Sequence, residues 1–201
     1  GFPDGEGDVL SPPACIAVTG FDSGWGPALF RRLLSGSACP RVLGIDRDPL
    51  PQDLEQVESV PIDWSETDSD RKLAEIMTKN SVEALVHGGC PAFATRAEKT
   101  NPEFELGRVR SLLRAADQSG LRRLVISSST LLYGARPDNP NFLTESHPLR
   151  GHPNARWLAA RIEAEESVRK FSSEHPKVEV TVLRSCWAIG PMSSHPVSKF
   201  F

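Results

Sequence analysis

The sequence predicts an α/β fold in which a doubly wound parallel sheet of six or more strands carries helices on both faces. Three observations predict it. Six short segments are rich in Val, Ile and Leu, longer helical stretches separate them, and a glycine-rich turn follows the first of them directly. Most of the short segments lack the apolar–polar alternation of a half-exposed strand, as expected when helices cover both faces of a parallel sheet. Strands alternating with helices in this way are typical of a Rossmann-like architecture.

The individual elements follow from these apolar runs and from the turn residues between them. A Gly at position 120, just after a helical stretch, predicts a helix end because glycine readily adopts the left-handed conformation found there. The predicted strands are 15–19, 41–46, 59–63, 82–87, 123–128 and 177–184. The predicted helices are 24–34, 69–79, 102–119 and 154–171.

Three segments do not fit short connections, and the acidic loop over residues 47–58 is one of them. Residues 1–13 are polar and rich in proline, and we expect them to form a flexible N-terminal arm ahead of one domain over residues 14–201. Residues 134–153 form a long proline-rich stretch after the predicted fifth strand. A loop of this length in a small domain is commonly functional, and it follows the strand end at which open α/β sheets bind ligands.

Composition excludes several classes of function. Twenty-three Lys and Arg residues against 26 Asp and Glu residues give a net charge of −3, which argues against a general nucleic-acid surface. No apolar run approaches about 18 residues, so no membrane span is expected. Without a visible secretion signal, a cytoplasmic location is expected. The five histidines show no helical metal-binding pair, so no metal is predicted.

The turn after the first predicted strand has the features of a phosphate site. Residues 19–26 read TGFDSGWG and lead into a helix, whose N-terminus presents backbone N–H groups and a favourable dipole to an anion. Asp46 ends the second strand, where a carboxylate can accept hydrogen bonds from ribose hydroxyls, and it favours NAD over NADP. The neighbouring Arg47 weakens that preference. The predicted ligands in the turn are Gly20, Ser23, Gly24, Trp25 and Gly26.

The same residues also permit a Rossmann-like fold with an empty glycine turn. Asp22 places a negative charge near the expected pyrophosphate, and this charge favours the unliganded alternative. Glycine spacing alone does not decide between the two readings.

The order of several segments resembles the extended branch of the short-chain dehydrogenase/reductase superfamily, the NAD-dependent epimerase/dehydratase family. The resemblance runs from about Cys15 to Pro191. TGFDSGWG is similar to its glycine loop, with a spacing that the extended branch uses less often than TGxxGxxG. The other segments are PIDW at 61–64, VHGGC at 86–90, LRRLVISSSTLLYG at 121–134, LTESHPL at 143–149 and VLRSCWAIGP at 182–191. The resemblance implies further NAD contacts at Asp63, Trp64, Gly88, Gly89, Ser127 and Arg161.

The catalytic pair of that family is altered here. Its members use a serine, a tyrosine and a lysine, the tyrosine phenol taking a proton while hydride passes to the nicotinamide. The resemblance assigns the serine to Ser129, but Trp157 and Arg161 stand where the tyrosine and lysine belong. An indole N–H only donates, and arginine stays protonated, so neither can relay the proton. We therefore expect an NAD-binding protein that is catalytically degenerate and acts as a nucleotide-sensing or interaction module.

Two alternatives remain open. One is an active epimerase, dehydratase or reductase that uses Ser129 with His152 or Glu145 as its base. The other is an unliganded scaffold, favoured if Asp22 or Phe21 blocks the glycine loop. The resemblance also implies that most of the substrate-binding portion lies beyond Pro191. It suggests a homodimer through helices 102–119 and 154–171, or a protein partner.

Overall fold

The described part of the chain is built on one parallel β-sheet. The computed structural model describes residues 11–21, 25–36, 40–89 and 101–186. Its strands in these ranges lie in the order β3-β2-β1-β4-β5-β6, and each neighbouring pair is parallel. The order reverses between β1 and β4, which opens a crevice at the carboxyl ends of these two strands. The strands are β1 (Cys15–Thr19), β2 (Arg41–Asp46), β3 (Glu58–Pro61), β4 (Ala84–His87), β5 (Arg123–Ser129) and β6 (Glu179–Ser185).

Four α-helices accompany the strands in the described ranges. Pro27 lies in the first turn of the first helix, where its fixed φ suits the helix and its missing N–H has no partner to lose. The third helix ends at Gly120, whose φ of +70° is the left-handed conformation predicted for that position. The helices are α1 (Gly26–Leu34), α2 (Ser69–Lys79), α3 (Phe104–Ser119) and α4 (Arg156–Glu174), and short 3-10 helices cover Gln52–Leu54 and Thr130–Tyr133.

Apolar side chains cover the central strand on both faces. In β1, Cys15 and Ala17 belong to the apolar cluster shared with α2, α3 and α4, whereas Ile16 and Val18 belong to the cluster shared with α1. Successive side chains of a strand point to opposite faces, so helices pack against both sides of the sheet. The predicted Rossmann-like α/β fold is confirmed.

The ends of several elements differ from the prediction. β3 lies over 58–61 instead of 59–63, and β4 begins at Ala84 instead of Val82. α4 begins two residues later than predicted and continues three residues further, to Glu174. The prediction stopped at residue 171 because the last turn of the helix is polar and gives no apolar signal in the sequence. β6 is an edge strand whose side chains alternate between half-buried and exposed, unlike the central strands.

Residues 1–10 of the predicted N-terminal arm lie outside the described residues. Within the described ranges, none of the helices has the length and apolar character needed to cross a bilayer.

Candidate functional site

The crevice is formed where the turn after β1 meets the turn after β4. Gly20 has a φ of +66°, and a Cβ placed on it would lie 2.5 Å from the backbone nitrogen of Gly89. The Gly88 N–H donates to the carbonyl of Thr19 at 2.8 Å. The two backbones therefore approach so closely that glycine is needed at position 20 for both its conformation and its lack of a side chain.

Phe21 does not occupy the crevice. Its ring is buried and makes an edge-to-face contact with Phe30, with ring centroids 5.6 Å apart. The scaffold alternative in which Phe21 blocks the loop is therefore not supported. Trp25 precedes α1 and is half-buried, while a Cβ on Gly26 would lie 2.2 Å from the Phe21 carbonyl. The remaining loop predictions, Asp22, Ser23 and Gly24, lie outside the described residues.

Asp46 is the buried carboxylate at the end of β2. Its Oδ2 accepts a hydrogen bond from the Gly20 N–H at 2.7 Å. Its Oδ1 accepts from the Arg47 N–H and from the Trp64 indole Nε1–H, both at 2.9 Å. Two residues predicted as NAD contacts, Gly20 and Trp64, are thus joined through a third. The Arg47 side chain is exposed and its Nε lies 3.3 Å from Asp48 Oδ1.

Asp63 is exposed at the end of the following turn. Its Oδ1 accepts from both the hydroxyl and the backbone N–H of Ser65, at 2.6 and 2.9 Å. These two hydrogen bonds lower the pKa of the Asp63 carboxyl. Asp63 Oδ1 is therefore used within its own turn.

A buried polar chain lies beneath the crevice and was not predicted from the sequence. Thr19 Oγ1 lies 2.7 Å from His87 Nδ1, and His87 Nε2 lies 2.8 Å from Glu105 Oε1. Glu105 Oε2 accepts from Arg108, whose Nη2 also donates to the Gly89 carbonyl at 3.3 Å. These hydrogen bonds link the ends of β1 and β4 to α3. The only sign of this network in the sequence is a histidine at the end of an apolar strand, followed later by an acidic and a basic residue three positions apart.

The charge of Glu105 is held in place by its partners. Complete burial alone would raise the pKa of this carboxyl, but the charges of Arg108 and His87 and the hydrogen bond from His87 outweigh burial and lower it to about 2. Arg161 adds to the same effect from α4. Glu105 is therefore an anion at neutral pH.

The residues that the resemblance assigns to the catalytic positions lie in the first turns of α4 and at the end of β5. Arg161 is only 3% exposed, and its guanidinium carbon lies 4.6 Å from the centre of the Trp157 ring. Arg161 and Ser127 line one small cavity together with Glu105. Ser129 is buried, and its Oγ accepts from the Leu131 N–H at 3.2 Å. The face of α4 that carries Trp157 and Arg161 is thus occupied by a stacked indole and guanidinium.

The single tyrosine takes part in a second cluster, also missed at the sequence level. Arg184 Nη1 donates to the Tyr133 hydroxyl at 2.7 Å and to the Glu145 carbonyl at 2.8 Å. Arg184 also pairs with the buried Glu165, which accepts from Ser128 Oγ at 2.8 Å. Burial would raise the pKa of Glu165, but the hydrogen bonds from Arg184 and Ser128 and the nearby positive charges lower it.

This second cluster borders a wide cavity of about 1350 Å³ at the edge of β6, where Glu145 and His147 lie on its wall. His152, the other candidate base, is exposed, and its Nδ1 accepts from the Asn154 N–H at 3.2 Å. Among the described residues, no group of three or more His, Cys, Asp or Glu side chains could hold a metal ion.

Comparison with known proteins gives a family match over most of the chain. The model of the NAD dependent epimerase/dehydratase family matches residues 16–201. Proteins of Mycobacterium bovis and Mycobacterium tuberculosis, all named as uncharacterized, are 26% identical to this chain over 195 residues. The match covers 94% of this chain and 51% of each relative, so the chain spans about half the length of these relatives.

Solved structures share the fold. The dTDP-glucose 4,6-dehydratase DesIV of Streptomyces venezuelae, with NAD bound, superposes with a TM-score of 0.75 at 22% identity, over 92% of this chain and 60% of that one. A short-chain dehydrogenase/reductase superfamily protein of Agrobacterium tumefaciens, also with NAD bound, gives a TM-score of 0.64 at 28% identity, over 85% of this chain and 48% of that one. The Bordetella bronchiseptica enzyme WbmH, in complex with NAD+, gives 0.72 at 17% identity, over 93% of this chain and 61% of that one.

Proposed function

Since this chain belongs to the NAD dependent epimerase/dehydratase family, we propose that it binds NAD in the crevice between the turns after β1 and β4. Two features of the described residues support the proposal. Gly20 lets the turn after β1 pass in contact with the backbone of Gly89, where a Cβ would clash, and the Asp46 carboxylate lies beside it at the end of β2. The NAD-bound relatives have the same fold.

The charge of Asp46 supports NAD over NADP as the ligand. Its carboxylate is buried and accepts three N–H donors at the place expected for the adenosine ribose. A 2′-phosphate there would meet like charge at short range, which is unfavourable. The side chain of the neighbouring Arg47 is exposed and forms an ion pair with Asp48.

We further propose that NAD serves as a ligand and not as a redox reagent. The observation that carries this proposal is the Arg161 guanidinium, buried and stacked on Trp157 where the family has a phenol and an ammonium group. Bound NAD would supply hydride chemistry, but a proton must leave the substrate in the same step. Neither an indole nor a guanidinium accepts that proton near neutral pH.

The role that fits this combination is nucleotide sensing or protein contact. A homodimer through α3 and α4 is one such contact. The outward side of these helices carries Arg110 and Glu163, which pair across the two helices at 2.6 Å, so a dimer at this surface would be polar and sensitive to salt.

The experiment compares the wild-type chain with the double variant Trp157→Tyr, Arg161→Lys. We expect NAD to raise the thermal midpoint of the wild type, because a ligand of the folded state stabilises it. We expect no NADH formation from alcohol or sugar-nucleotide substrates by the wild type. NADH formation by the wild type at an ordinary enzyme rate, and no faster in the Trp157→Tyr, Arg161→Lys double variant, would overturn the degenerate assignment.

A further inference from the structure

The Trp64 indole N–H donates to the carboxylate of Asp46 at 2.9 Å. We infer that the Trp64 indole N–H makes Asp46 an acceptor for one hydroxyl of the adenosine ribose instead of two. This inference rests on the proposed function, because it concerns the ribose end of the same NAD site.

The inference follows from the donors that already surround the carboxylate. Each carboxylate oxygen can accept about two hydrogen bonds. Asp46 Oδ1 already accepts two, from the Arg47 N–H and the Trp64 Nε1–H, both at 2.9 Å. Oδ2 accepts one, from the Gly20 N–H at 2.7 Å. One acceptor position therefore remains, on Oδ2, on the same oxygen that contacts the glycine turn.

The three donors are not equivalent. The Gly20 and Arg47 donors are backbone N–H groups, fixed by the turn after β1 and by the chain leaving β2. Only the Trp64 donor belongs to a side chain, and it comes from the turn after β3. A substitution at position 64 can therefore remove this donor without altering the backbone.

The Trp64 ring is also held in position. It is half-buried and packs against the apolar cluster shared by the sheet with α2, α3 and α4, and its N–H donates to Asp46. Turning the indole away would break this packing. It would also remove a hydrogen bond to a charged acceptor, which is among the stronger kinds of hydrogen bond. The ring therefore stays in place when a ribose approaches, and the second hydroxyl finds Oδ1 occupied.

The test measures binding of NAD and of two NAD analogues that lack either the 2′- or the 3′-hydroxyl of the adenosine ribose. Calorimetry gives the dissociation constants for the wild type and for Trp64→Phe. In the wild type, we expect removal of one hydroxyl to weaken binding about tenfold or more and removal of the other to change it less than about twofold.

In Trp64→Phe, the freed position on Oδ1 becomes available. We therefore expect removal of either hydroxyl to weaken binding by about tenfold. Thermal midpoints check that the variant folds. If Phe is not tolerated, benzothienylalanine incorporated at position 64 replaces the N–H by sulfur in a ring of the same size.

The outcomes separate the two claims. If NAD itself fails to bind the wild type, the proposed function falls and this inference falls with it. If NAD binds but both analogues are weakened equally in the wild type, or the asymmetry is unchanged in both position-64 variants, only the inference about Trp64 is wrong.

Discussion

We expect the charge of Glu105, beneath the crevice, to make a large contribution to stability. Its pKa falls from the ordinary 4.5 to about 2 in the folded chain, because Arg108 and His87 outweigh the effect of burial. At about 1.4 kcal/mol per pKa unit, this difference corresponds to about 3 kcal/mol of folding free energy. Removal of one partner of a buried ion pair generally has a similar effect, of about 3–5 kcal/mol. We therefore expect Glu105→Gln to lower the free energy of unfolding by about 3 kcal/mol at pH 7.

The pH dependence gives the sign of the effect. A carboxyl whose pKa is lowered by folding stabilises the protein above its unfolded pKa and loses this contribution as pH falls toward the folded value. The gap between wild type and Glu105→Gln should therefore be complete at pH 6–7. It should shrink to about 2 kcal/mol near pH 3.5. Urea unfolding at several pH values, followed by tryptophan fluorescence, measures the gap directly.

The matched control is Glu166→Gln, the same change at an exposed position of α4. It should alter the free energy of unfolding by less than about 0.5 kcal/mol. A gap for Glu105→Gln below about 1 kcal/mol at pH 7, or one that does not change between pH 7 and 3.5, would refute the assignment of a buried, charged Glu105.

Two further predictions concern the crevice and the helix surface. Gly20→Ala should be less stable than Gly120→Ala by about 1–3 kcal/mol in urea unfolding, because both have positive φ but only the first places a Cβ 2.5 Å from the Gly89 nitrogen; equal losses would contradict the close approach. A dimer through α3 and α4 should dissociate in sedimentation when salt is raised or when Arg110→Glu is introduced, and an unchanged dimer would place the interface elsewhere.

The sequence predicted the framework well because the framework depends on local patterns. Apolar runs gave all six strands in the described ranges, and Gly120 gave the end of α3. Some errors fell where a polar residue sits inside an element, as in the last turn of α4, or where a strand lies at the sheet edge, as β6 does. The late start of β4 has neither cause, because Val82 is buried and β4 is a central strand. Periodicity reports burial, so it cannot place ends that are not buried.

The site was only partly predictable. Gly20 and Asp46 were predicted as part of one site from the glycine turn and the acid at the next strand end, and the folded chain brings the two residues into contact. The network of His87 with Glu105 was missed, since its members are distant in sequence and each is unremarkable alone. The donor role of Trp64 was missed for the same reason: it depends on three turns meeting at one carboxylate, which only the folded chain reveals.

We propose that this chain binds NAD in the crevice without the means to use it chemically. The decisive measurement is a calorimetric titration of NAD into the purified chain, followed by addition of alcohol or sugar-nucleotide substrates to the saturated sample. We expect saturable one-site heat that is weakened strongly by Gly20→Ala, and no NADH formation after the substrates are added. A titration without heat at millimolar NAD would contradict it.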